Sequence, residues 1–484
     1  MIAPNPRPAS AGDRRRGRPR RAVVLGASMA GMLAAAALRG HAEEIVVVER
    51  DCLPEEAAPR KGLPQARHAH LLMSGGARAV ESLLPGTTRR WLGAGAHRIA
   101  LPSSLVVLTA DGWARRWPES QFLIACSRDL LDHVVRQQAL AHPEIVLRTR
   151  CEAVALLGDA VRITGVRLRH LDSGGSESLA TDLVVDATGR GSPAARWLSG
   201  LGLPVVREET VDSGLVYASR IFQAPPRAES IPVVSVQAVS GTPEPGRGGT
   251  LLPIEGGRWL LTLAGTRGGE PTGETAEFEH FARSLRHPLL ADLIARASPL
   301  TDVHLTRTTV NRRRFYERSP SWPEGYLVLG DAVASFNPIY GQGMTVAAQC
   351  ALALRAELTG GGGLTGPGLA RRAQRAAARP VSGAWSLATG DDMRYPGATG
   401  NRSAVAVRLT HGYFQRLVRT SMCRPAVSRA LLDVMTLSEP WPALVRPRML
   451  LEALRGPDPG RRPPPEPPIT AAERECWGLA ADVP

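Results

Sequence analysis

An aspartate, a proline and two glycines stand close together in GDAVASFNPIYGQGM, residues 330–344, directly after the apolar run 325–329. Asp331 would lie at the carboxyl end of a buried strand, the edge at which ligands of α/β sheets bind. Gly341 and Gly343 open an apolar helix over 344–358, so bare backbone N–H groups would point into the same crevice. This arrangement suits a polyhydroxylated, partly anionic ligand.

A second glycine-rich turn, GASMAG at residues 26–31, has the form of a dinucleotide fingerprint with Ser28 at its middle glycine. A strand over 23–26 precedes the turn and a helix over 30–38 follows it. Glu49 ends the next strand, where a carboxylate would accept ribose hydroxyls. The alternative is a plain tight turn with a solvated Glu49. The motif alone does not choose between NAD and FAD.

The two constellations together favour FAD. A second ligand-facing cluster far along the same chain is not needed for NAD, whereas FAD has a ribityl chain and a ring that must be held away from its adenosine. Asp331 would bond the ribityl hydroxyls. The helix N-terminus at Gly343 would stabilise negative charge that develops on a reduced flavin.

The chain resembles the flavoprotein monooxygenases of the para-hydroxybenzoate hydroxylase type over about residues 20 to 360. The glycine fingerprint, a D-x-x-G element at 186–189 and G-D followed by proline and a glycine pair occur in the order found in that group. Arg128 matches the R-x-x-L element that helps those enzymes bind FAD; a surface salt bridge is the alternative for this residue alone. This resemblance and a narrower one described next together imply the following FAD-binding residues: Gly26, Ser28, Met29, Ala30, Gly31, Glu49, Arg50, Arg60, Lys61, Gln65, Arg128, Val154, Gly330, Asp331, Pro338, Gly341, Gln342, Gly343 and Met344. Among them, Pro338, Gly341, Gln342 and Gly343 would position the flavin ring.

A narrower resemblance rests on GASMAG, RKGLPQARHAHLL (60–72), DATGRGS, PIEGGRW and FNPIYGQGM. Together these segments are similar to the polyene epoxidases of polyether-ionophore biosynthesis, of the monensin and lasalocid type. The resemblance implies that reduced FAD reacts with O2 to a C4a-hydroperoxide, which epoxidises alkenes of a linear polyketide without a catalytic protein residue. Electrons would come from NAD(P)H or a partner flavin reductase, and the hydrophobic polyene would be free or bound to a carrier protein.

His68 and His70 would then lie near the flavin, with a structural hydrogen-bonding role as the alternative for each. An H-x-H pair without a third ligand candidate predicts no metal site.

Other functions share these motifs. A flavin-dependent aromatic hydroxylase of a secondary-metabolite pathway is the main alternative, and a reductase of prenyl double bonds or a non-catalytic flavin-binding protein would also carry them. A tryptophan-type halogenase would show W-x-W-x-I-P, which is absent, and a lysine well beyond the fingerprint; the single lysine is Lys61.

The elements that would position these residues predict a mixed α/β fold: a Rossmann-like FAD-binding domain, an inserted antiparallel-sheet substrate domain and a C-terminal helical region. A helix over 128–140 would carry Arg128, and the alternating segments over 205–265, with a turn at 256–257, would form the inserted sheet. The predicted divisions are a disordered basic leader (1–20), FAD-binding segments (21–75, 126–200 and 311–360), a substrate-domain hairpin segment (76–125), the substrate domain (201–310), the helical region (361–455) and a proline-rich tail (456–484). We expect residues 456–468 to form an extension too constrained to pack.

The composition of this 484-residue chain limits the classes of partner that we expect it to bind. The net charge of +14 comes almost entirely from arginine in an Ala-, Gly- and Pro-rich chain, so we read it as composition bias and predict no nucleic-acid partner. Six scattered cysteines predict a reducing cytoplasm, and no secretory signal is expected. No apolar run reaches the roughly 18 residues that a membrane span needs.

Overall fold

The computed structural model describes residues 19–307, 309–401, 404–458 and 460–479. Apart from its last two residues, the predicted basic leader lies outside the described residues. The strands are β1 (Arg21–Leu25), β2 (Glu44–Val48), β3 (Leu71–Met73), β4 (His97–Leu101), β5 (Leu105–Thr109), β6 (Gly112–Trp113), β7 (Gln121–Ala125), β8 (Ile145–Arg148), β9 (Cys151–Gly158), β10 (Ile163–His170), β11 (Ser176–Ala180), β12 (Leu183–Asp186), β13 (Glu208–Asp212), β14 (Val216–Gln223), β15 (Val233–Val236), β16 (Arg247–Ile254), β17 (Arg258–Gly265), β18 (Ser298–Pro299), β19 (His304–Thr306), β20 (Asn311–Arg314), β21 (Tyr326–Val328), β22 (Ala334–Ser335) and β23 (Thr399–Gly400). The helices are α1 (Met29–Ala37), α2 (Ser74–Leu83), α3 (Thr87–Gly93), α4 (Arg128–Leu140), α5 (Ala194–Gly200), α6 (Thr275–Arg283), α7 (Leu289–Ile294), α8 (Gly343–Gly360), α9 (Leu369–Asp392), α10 (Ala404–Ser421), α11 (Pro425–Met435), α12 (Pro447–Arg455) and α13 (Ala471–Cys476).

A parallel sheet of five strands, in the order β21-β12-β1-β2-β8, forms the centre of the fold. Its central strands are almost continuously apolar and buried, which is typical of parallel strands covered on both faces. The order matches the Rossmann pattern, in which ligands bind at the carboxyl ends of the strands where the winding reverses. Here that point lies between β1 and β12, so the predicted Rossmann-like fold is confirmed.

The strands of this sheet come from three separated stretches of chain. β1 and β2 come from residues 21–75, β8 and β12 from 126–200, and β21 from 311–360. The long interruptions contribute an eight-stranded sheet, in which β18-β14-β17-β16-β15-β5-β6 are neighbours and β19 also pairs with β14. The parallel sheet and this predominantly antiparallel sheet are therefore interleaved in sequence.

The eight-stranded sheet contains a hairpin at the predicted turn 256–257 and another within the predicted hairpin segment 76–125. β16 and β17 pair antiparallel around a three-residue loop, 255–257, in which Gly256 and Gly257 both have positive φ, a conformation that glycine adopts without strain. β5 and β6 pair antiparallel around residues 110–111. β5 also pairs parallel with β15, a contact between distant segments that local sequence patterns do not contain.

Residues 456–468 contact the rest of the protein, so the expectation that they would not pack is wrong. Arg115 donates a hydrogen bond to the Arg462 carbonyl oxygen at 2.6 Å, and Arg424 donates one to the Gly456 carbonyl oxygen at 2.9 Å. The carbonyl oxygen of Pro468 accepts a hydrogen bond from Arg116 at 3.1 Å, and the Arg116 guanidinium also forms two bonds of 2.6 and 2.8 Å to the Glu473 carboxylate. Trp477 is buried in the core beneath the eight-stranded sheet. A rigid proline segment can dock without backbone donors because arginine side chains bond its carbonyl groups.

Among the described residues, no helix combines the length and apolar character that crossing a membrane requires.

Candidate functional site

The turn between β1 and α1 can be built only with glycine at two positions. Gly26 has φ +95°, and a Cβ there would lie 2.7 Å from the carbonyl oxygen of Ala187. A Cβ on Gly31 would lie 1.8 Å from the Gly26 carbonyl oxygen. Ser28 precedes α1 without capping it through its side chain. The first N–H groups of α1 are therefore left for a ligand or water, as in dinucleotide-binding turns.

Glu49 lies at the end of β2 and is buried, so it is not the solvated residue of the alternative interpretation. Its carboxylate accepts hydrogen bonds from the backbone N–H of Ala27 at 2.8 Å and of Asp51 at 3.0 Å. Arg60 places a guanidinium nitrogen 3.4 Å from the same carboxylate, and both side chains are almost fully buried. The structure thus brings two predicted site residues together at the fingerprint turn.

The neighbouring predicted residues differ in their surroundings. Arg50 and Lys61 are exposed, and neither contacts another predicted site residue through a hydrogen bond in the described part of the chain. Gln65 is half-buried in a short 3-10 turn. Val154 is half-buried in β9, whose first backbone N–H, that of Cys151, donates to the Glu49 carbonyl oxygen at 3.0 Å.

Asp186 of the D-x-x-G element shapes a loop. Its fully buried carboxylate accepts hydrogen bonds from the backbone N–H and the hydroxyl of Thr188, at 2.9 and 2.6 Å. The hydroxyls of Ser192 and Tyr326 donate to its other oxygen at 2.8 and 3.2 Å. Because each of its oxygens already accepts two hydrogen bonds, Asp186 has no acceptor position left for a ligand and instead holds the loop against Gly26.

The second motif lies against the first. Gly330 has φ +63°, and a Cβ there would approach the Cβ of Ala30 to 2.8 Å. The next residue, Asp331, has an exposed side chain, and no group in the described chain donates a hydrogen bond to its carboxylate. Although the side chain is open to solvent, the protein atoms around it desolvate the carboxyl group and raise the pKa of Asp331, while the positive charges of Arg128 and Arg190 lower it. A carboxylate between two arginines is thereby left available for hydroxyl groups of a ligand.

Arg128 is not a surface residue. Its guanidinium donates to the Asp132 carboxylate at 3.0 Å, and the two side chains are nearly buried at the start of α4. Its charge acts on the pKa of both His70 and Asp331, so the helix predicted over 128–140 carries it to the second motif.

The turn before α8 presents open backbone. Gly341 has φ +62°, its N–H donates to the Pro338 carbonyl oxygen at 2.9 Å, and a Cβ there would lie 3.3 Å from the side chains of Leu71 and Met73. A Cβ on Gly343 would meet only the Phe336 ring, at 4.0 Å. A Cβ at Gly343 would therefore fit without a clash against the side chains and loops around it.

The side chains beside these glycines turn inward. Gln342 is buried, its side-chain amide donates to the Met435 carbonyl oxygen of α11 at 3.2 Å, and its Oε1 has no hydrogen-bond partner among the described residues. Met344 is buried in the core below the parallel sheet.

A buried polar cluster that the sequence did not reveal supports the same turn. Asp392, at the end of α9, accepts hydrogen bonds from the Tyr340 hydroxyl at 2.8 Å and from the side-chain amides of Asn311 and Asn337 at 2.6 and 3.1 Å. The Tyr217 hydroxyl donates to Asn337. Burial raises the pKa of Asp392 to about 6, although the Asn337, Tyr340 and Asn311 donors lower it. The segment N-P-I-Y, which begins at Asn337, lies within the predicted flavin-facing motif and gave a weak indication of this residue. No sequence pattern indicated Asp392, more than fifty residues later.

The two histidines have structural partners and are neutral near pH 7. His68 Nδ1 lies 2.8 Å from the Ser219 hydroxyl, and burial, with a smaller effect of His304, lowers the pKa of His68 to about 4. His70 donates from Nδ1 to the His68 carbonyl oxygen at 2.7 Å, and burial, followed by the Arg128 charge, lowers the pKa of His70 to about 3. The described residues contain no group of three His, Cys, Asp or Glu side chains that could hold a metal ion.

A cavity of about 1730 Å³ adjoins the Pro338 turn. One wall is the eight-stranded sheet, with Leu105, Val107 and Val233, and another is formed by the C-terminal helices, with Val418, Leu431 and Met435. Tyr340 and Asp392 contribute polar groups to the lining. The volume exceeds the roughly 300–1,000 Å³ of ordinary small-molecule sites, so the cavity can hold an extended ligand.

Comparison with solved structures shows the fold. The chain is similar to the flavin-dependent brominase Bmp2 (TM-score 0.59, 14% identity, 90% of this chain and 98% of that one). It is also similar to PqsL, a probable FAD-dependent monooxygenase from Pseudomonas aeruginosa (TM-score 0.56, 20% identity, 77% and 97%). A third similar structure is a mutant of 2-methyl-3-hydroxypyridine-5-carboxylic acid oxygenase (TM-score 0.54, 19% identity, 78% and 91%). The chain therefore has the fold of flavin-dependent monooxygenases and halogenases.

Sequence comparison gives the closer relationship. No protein-family model matches the chain. Protein Rv3254 of Mycobacterium tuberculosis is 32% identical over 388 residues, which are 78% of this chain and 81% of that protein. At this identity and coverage, the chain belongs to the same family as protein Rv3254.

Proposed function

We propose that the protein is an FAD-dependent monooxygenase that transfers one oxygen atom of O2 to an alkene of an extended apolar substrate such as a linear polyketide polyene. The observation that carries this proposal is the cavity of about 1730 Å³, with its largely apolar walls, next to the Pro338 turn. A polyene chain matches such walls because it has many apolar atoms and few groups that need hydrogen bonds.

The residues present fit FAD. The glycine turn at Gly26 and the buried Glu49 would hold the adenosine and pyrophosphate end. The carboxylate of Asp331, which lacks a protein donor, would accept hydroxyls of the ribityl chain. The flavin ring would lie against the open backbone at Gly343, where a side chain would fill the space that the ring needs.

Bound FAD, once reduced, would supply the chemistry that activates O2. The N-terminus of α8 would stabilise negative charge on the reduced ring, because its first N–H groups have no helical partners. The sheet and C-terminal helices would exclude water from the reacting groups. The two buried histidines remain neutral, which agrees with a transfer that needs no protein base.

The comparisons support this class of chemistry through what the similar proteins are called: a brominase, a probable monooxygenase and an oxygenase. Within this proposal, electrons come from NAD(P)H or from a partner flavin reductase. The substrate would enter free or attached to a carrier protein.

One observation favours a second candidate, aromatic hydroxylation. Tyr340 donates to Asp392 at the cavity wall, and burial raises the pKa of Asp392 to about 6. A phenol bonded to the Tyr340 oxygen could pass its proton towards this carboxylate, and phenols become more reactive when they lose that proton. Alkene epoxidation has no comparable need for Tyr340.

The deciding experiment is anaerobic reduction of the flavin-loaded protein, followed by O2 and either a linear polyene or a phenol. Mass spectrometry with ¹⁸O2 then shows which product gains a labelled oxygen atom. Labelled epoxide supports the proposal, labelled hydroxylated arene moves the second candidate ahead, and rapid flavin oxidation without either product contradicts both. Failure of the apoprotein to bind FAD would reject the flavoprotein assignment itself.

A further inference from the structure

Exposed apolar side chains are concentrated near one short helix, α12. The described part of the chain has nine large hydrophobic residues with exposed side chains, and four of them, Val445, Leu450, Leu451 and Leu454, lie within ten consecutive positions. The other five are scattered singly over the chain. Scattered exposed apolar residues are ordinary, whereas a contiguous patch marks a surface for interaction.

The helix has two apolar sides. Met449 and Ala453, four positions apart, are buried. Leu450, Leu451 and Leu454 are three and four positions apart and form the opposite side. This second side, which we call the α12 face, is 42% to 76% exposed at its three leucines. The described chain therefore leaves it uncovered.

Arginines border the α12 face. Arg448 and Arg455 flank the leucines on the helix, and Arg446 precedes it. Arg446 and Arg455 pair with Glu439 and Glu452, but their own side chains remain 64% and 54% exposed. Arg448 is exposed and has no carboxylate partner in the described chain. Three arginines against two glutamates leave the rim of the face with a net positive charge, and Arg448 is its unpaired cation among the described residues.

The arrangement of leucines and arginines on the α12 face distinguishes two partners that could cover it, a second copy of the chain and a lipid bilayer. In an antiparallel two-fold pairing of α12 with a second copy, Arg448 of one helix would approach Arg455 of the other, and the like charges would repel. An anionic bilayer surface instead supplies apolar chain ends for the leucines and negative headgroups for the arginines. We propose that the α12 face binds the surface of anionic lipid bilayers, as an interfacial helix that lies on the membrane.

The position of α12 gives this contact a use. The residues just before the helix, Glu439, Trp441 and Pro442 among them, line the large cavity. A protein held at the bilayer by α12 would bring this wall of the cavity close to apolar molecules dissolved in the membrane. The binding itself does not depend on the proposed reaction and can be tested separately from it.

The test is co-sedimentation of the full-length, flavin-loaded protein with vesicles of phosphatidylglycerol and phosphatidylcholine in equal parts, or of phosphatidylcholine alone. We expect binding to the anionic vesicles that weakens at 1 M ionic strength, where the Debye length falls to about 3 Å. Replacing Leu451→Ser and Leu454→Ser together should lower the binding constant by about tenfold or more, since both side chains would leave the apolar layer. Arg448→Gln should lower it about fivefold.

The matched control is the pair Val205→Ser and Leu300→Ser, which changes two exposed apolar residues elsewhere on the surface. It should bind like the unchanged protein. The proposal is overturned if the unchanged protein does not sediment with anionic vesicles, or if the control pair weakens binding as much as the leucine pair. It is also overturned if sedimentation analysis shows a dimer that the leucine pair abolishes, because the face would then bind a second copy.

Discussion

Tyr340 donates a hydrogen bond of 2.8 Å to Asp392, which joins the turn before α8 to the end of α9. Asp392 is only 1% exposed. The contact connects the backbone proposed to face the flavin with a helix that lines the cavity, so a carboxylate from the C-terminal region helps to fix the position of that turn.

The stability of the protein should depend on the titration of Asp392. Burial raises its folded-state pKa from the ordinary 3.8 to about 6. Between these values the unfolded chain has lost the proton and the folded chain keeps it, so this group makes stability fall as pH rises. Relative to the unchanged protein, Asp392→Asn should therefore gain about 3 kcal/mol of unfolding free energy across that window.

Urea unfolding at a series of pH values measures this difference. Asp172→Asn makes the same chemical change at an exposed ion pair with Arg150 and should alter stability by less than about 1 kcal/mol. A difference between Asp392→Asn and the unchanged protein that stays constant with pH would show that Asp392 does not titrate there.

Tyr340→Phe separates the two candidate reactions. Epoxidation needs no proton acceptor, so polyene turnover should persist in this variant. If the protein hydroxylates phenols through Tyr340, the rate should instead fall by about 10²- to 10⁴-fold, the usual contribution of a positioned acid-base group. Single-turnover product formation is the measurement.

Tyr413→Phe is the control, because it removes a hydroxyl that bonds the Leu444 carbonyl oxygen within the C-terminal helices. A large loss of polyene oxygenation in Tyr340→Phe, with normal flavin binding and unchanged activity in the control, would contradict the base-free reaction.

Asp331→Ala should weaken FAD binding by about 10- to 150-fold, which corresponds to roughly 1.5–3 kcal/mol for lost charge-assisted hydrogen bonds. The flavin-free protein should keep its melting temperature or gain a little, because Asp331 makes no side-chain hydrogen bond in the described chain and desolvation by the surrounding protein atoms disfavours its charged form. Fluorescence titration of the apoprotein gives the affinity. Full affinity in this variant would remove Asp331 from the site.

Much of the fold follows from local patterns. The helix predicted over 128–140 is α4 with the same bounds, and the helix predicted over 30–38 is α1, displaced by one residue. Gly26 and Gly31 could be identified because a glycine required by close backbone contact leaves a fixed spacing in the sequence. The apolar run 325–329 identified β21, because a strand buried on both faces needs apolar side chains throughout.

Contacts between distant segments were not predictable in the same way. Asp392 finds Asn311 and Asn337 only after the chain has folded, and no periodicity relates three such positions. The docking of the tail depends on Arg116 meeting Glu473, a pair separated by more than three hundred residues. The amino-acid composition of the tail describes the tail alone, whereas its packing depends on the residues of the surface against which it lies.

His68 should make the protein sensitive to acid. Burial lowers its folded-state pKa from 6.5 to about 4, so as pH falls through this range the unfolded chain takes up a proton that the folded chain refuses. The free energy of unfolding should therefore fall as the solution becomes more acid. In His68→Asn this acid-induced loss should be smaller by about 3 kcal/mol, because the titrating group is gone. Thermal unfolding between those pH values is the measurement, and an unchanged pH dependence in the variant would mean that His68 is protonated in the folded protein.

The two glycines before and at the start of α8 allow a matched test of the flavin position. Gly343→Ala adds a methyl group that meets no protein atom nearer than 4.0 Å, so the flavin-free protein should be as stable as before or slightly more stable. If the ring lies there, the methyl group should cost roughly 1–3 kcal/mol of FAD binding. Gly341→Ala should instead destabilise the flavin-free protein itself, because Gly341 has φ +62° and its added Cβ would lie 3.3 Å from Leu71 and Met73. Calorimetry of both apoproteins, with FAD titration of each, distinguishes these effects. If Gly343→Ala binds FAD as tightly as the unchanged protein, the ring does not occupy the space in front of α8.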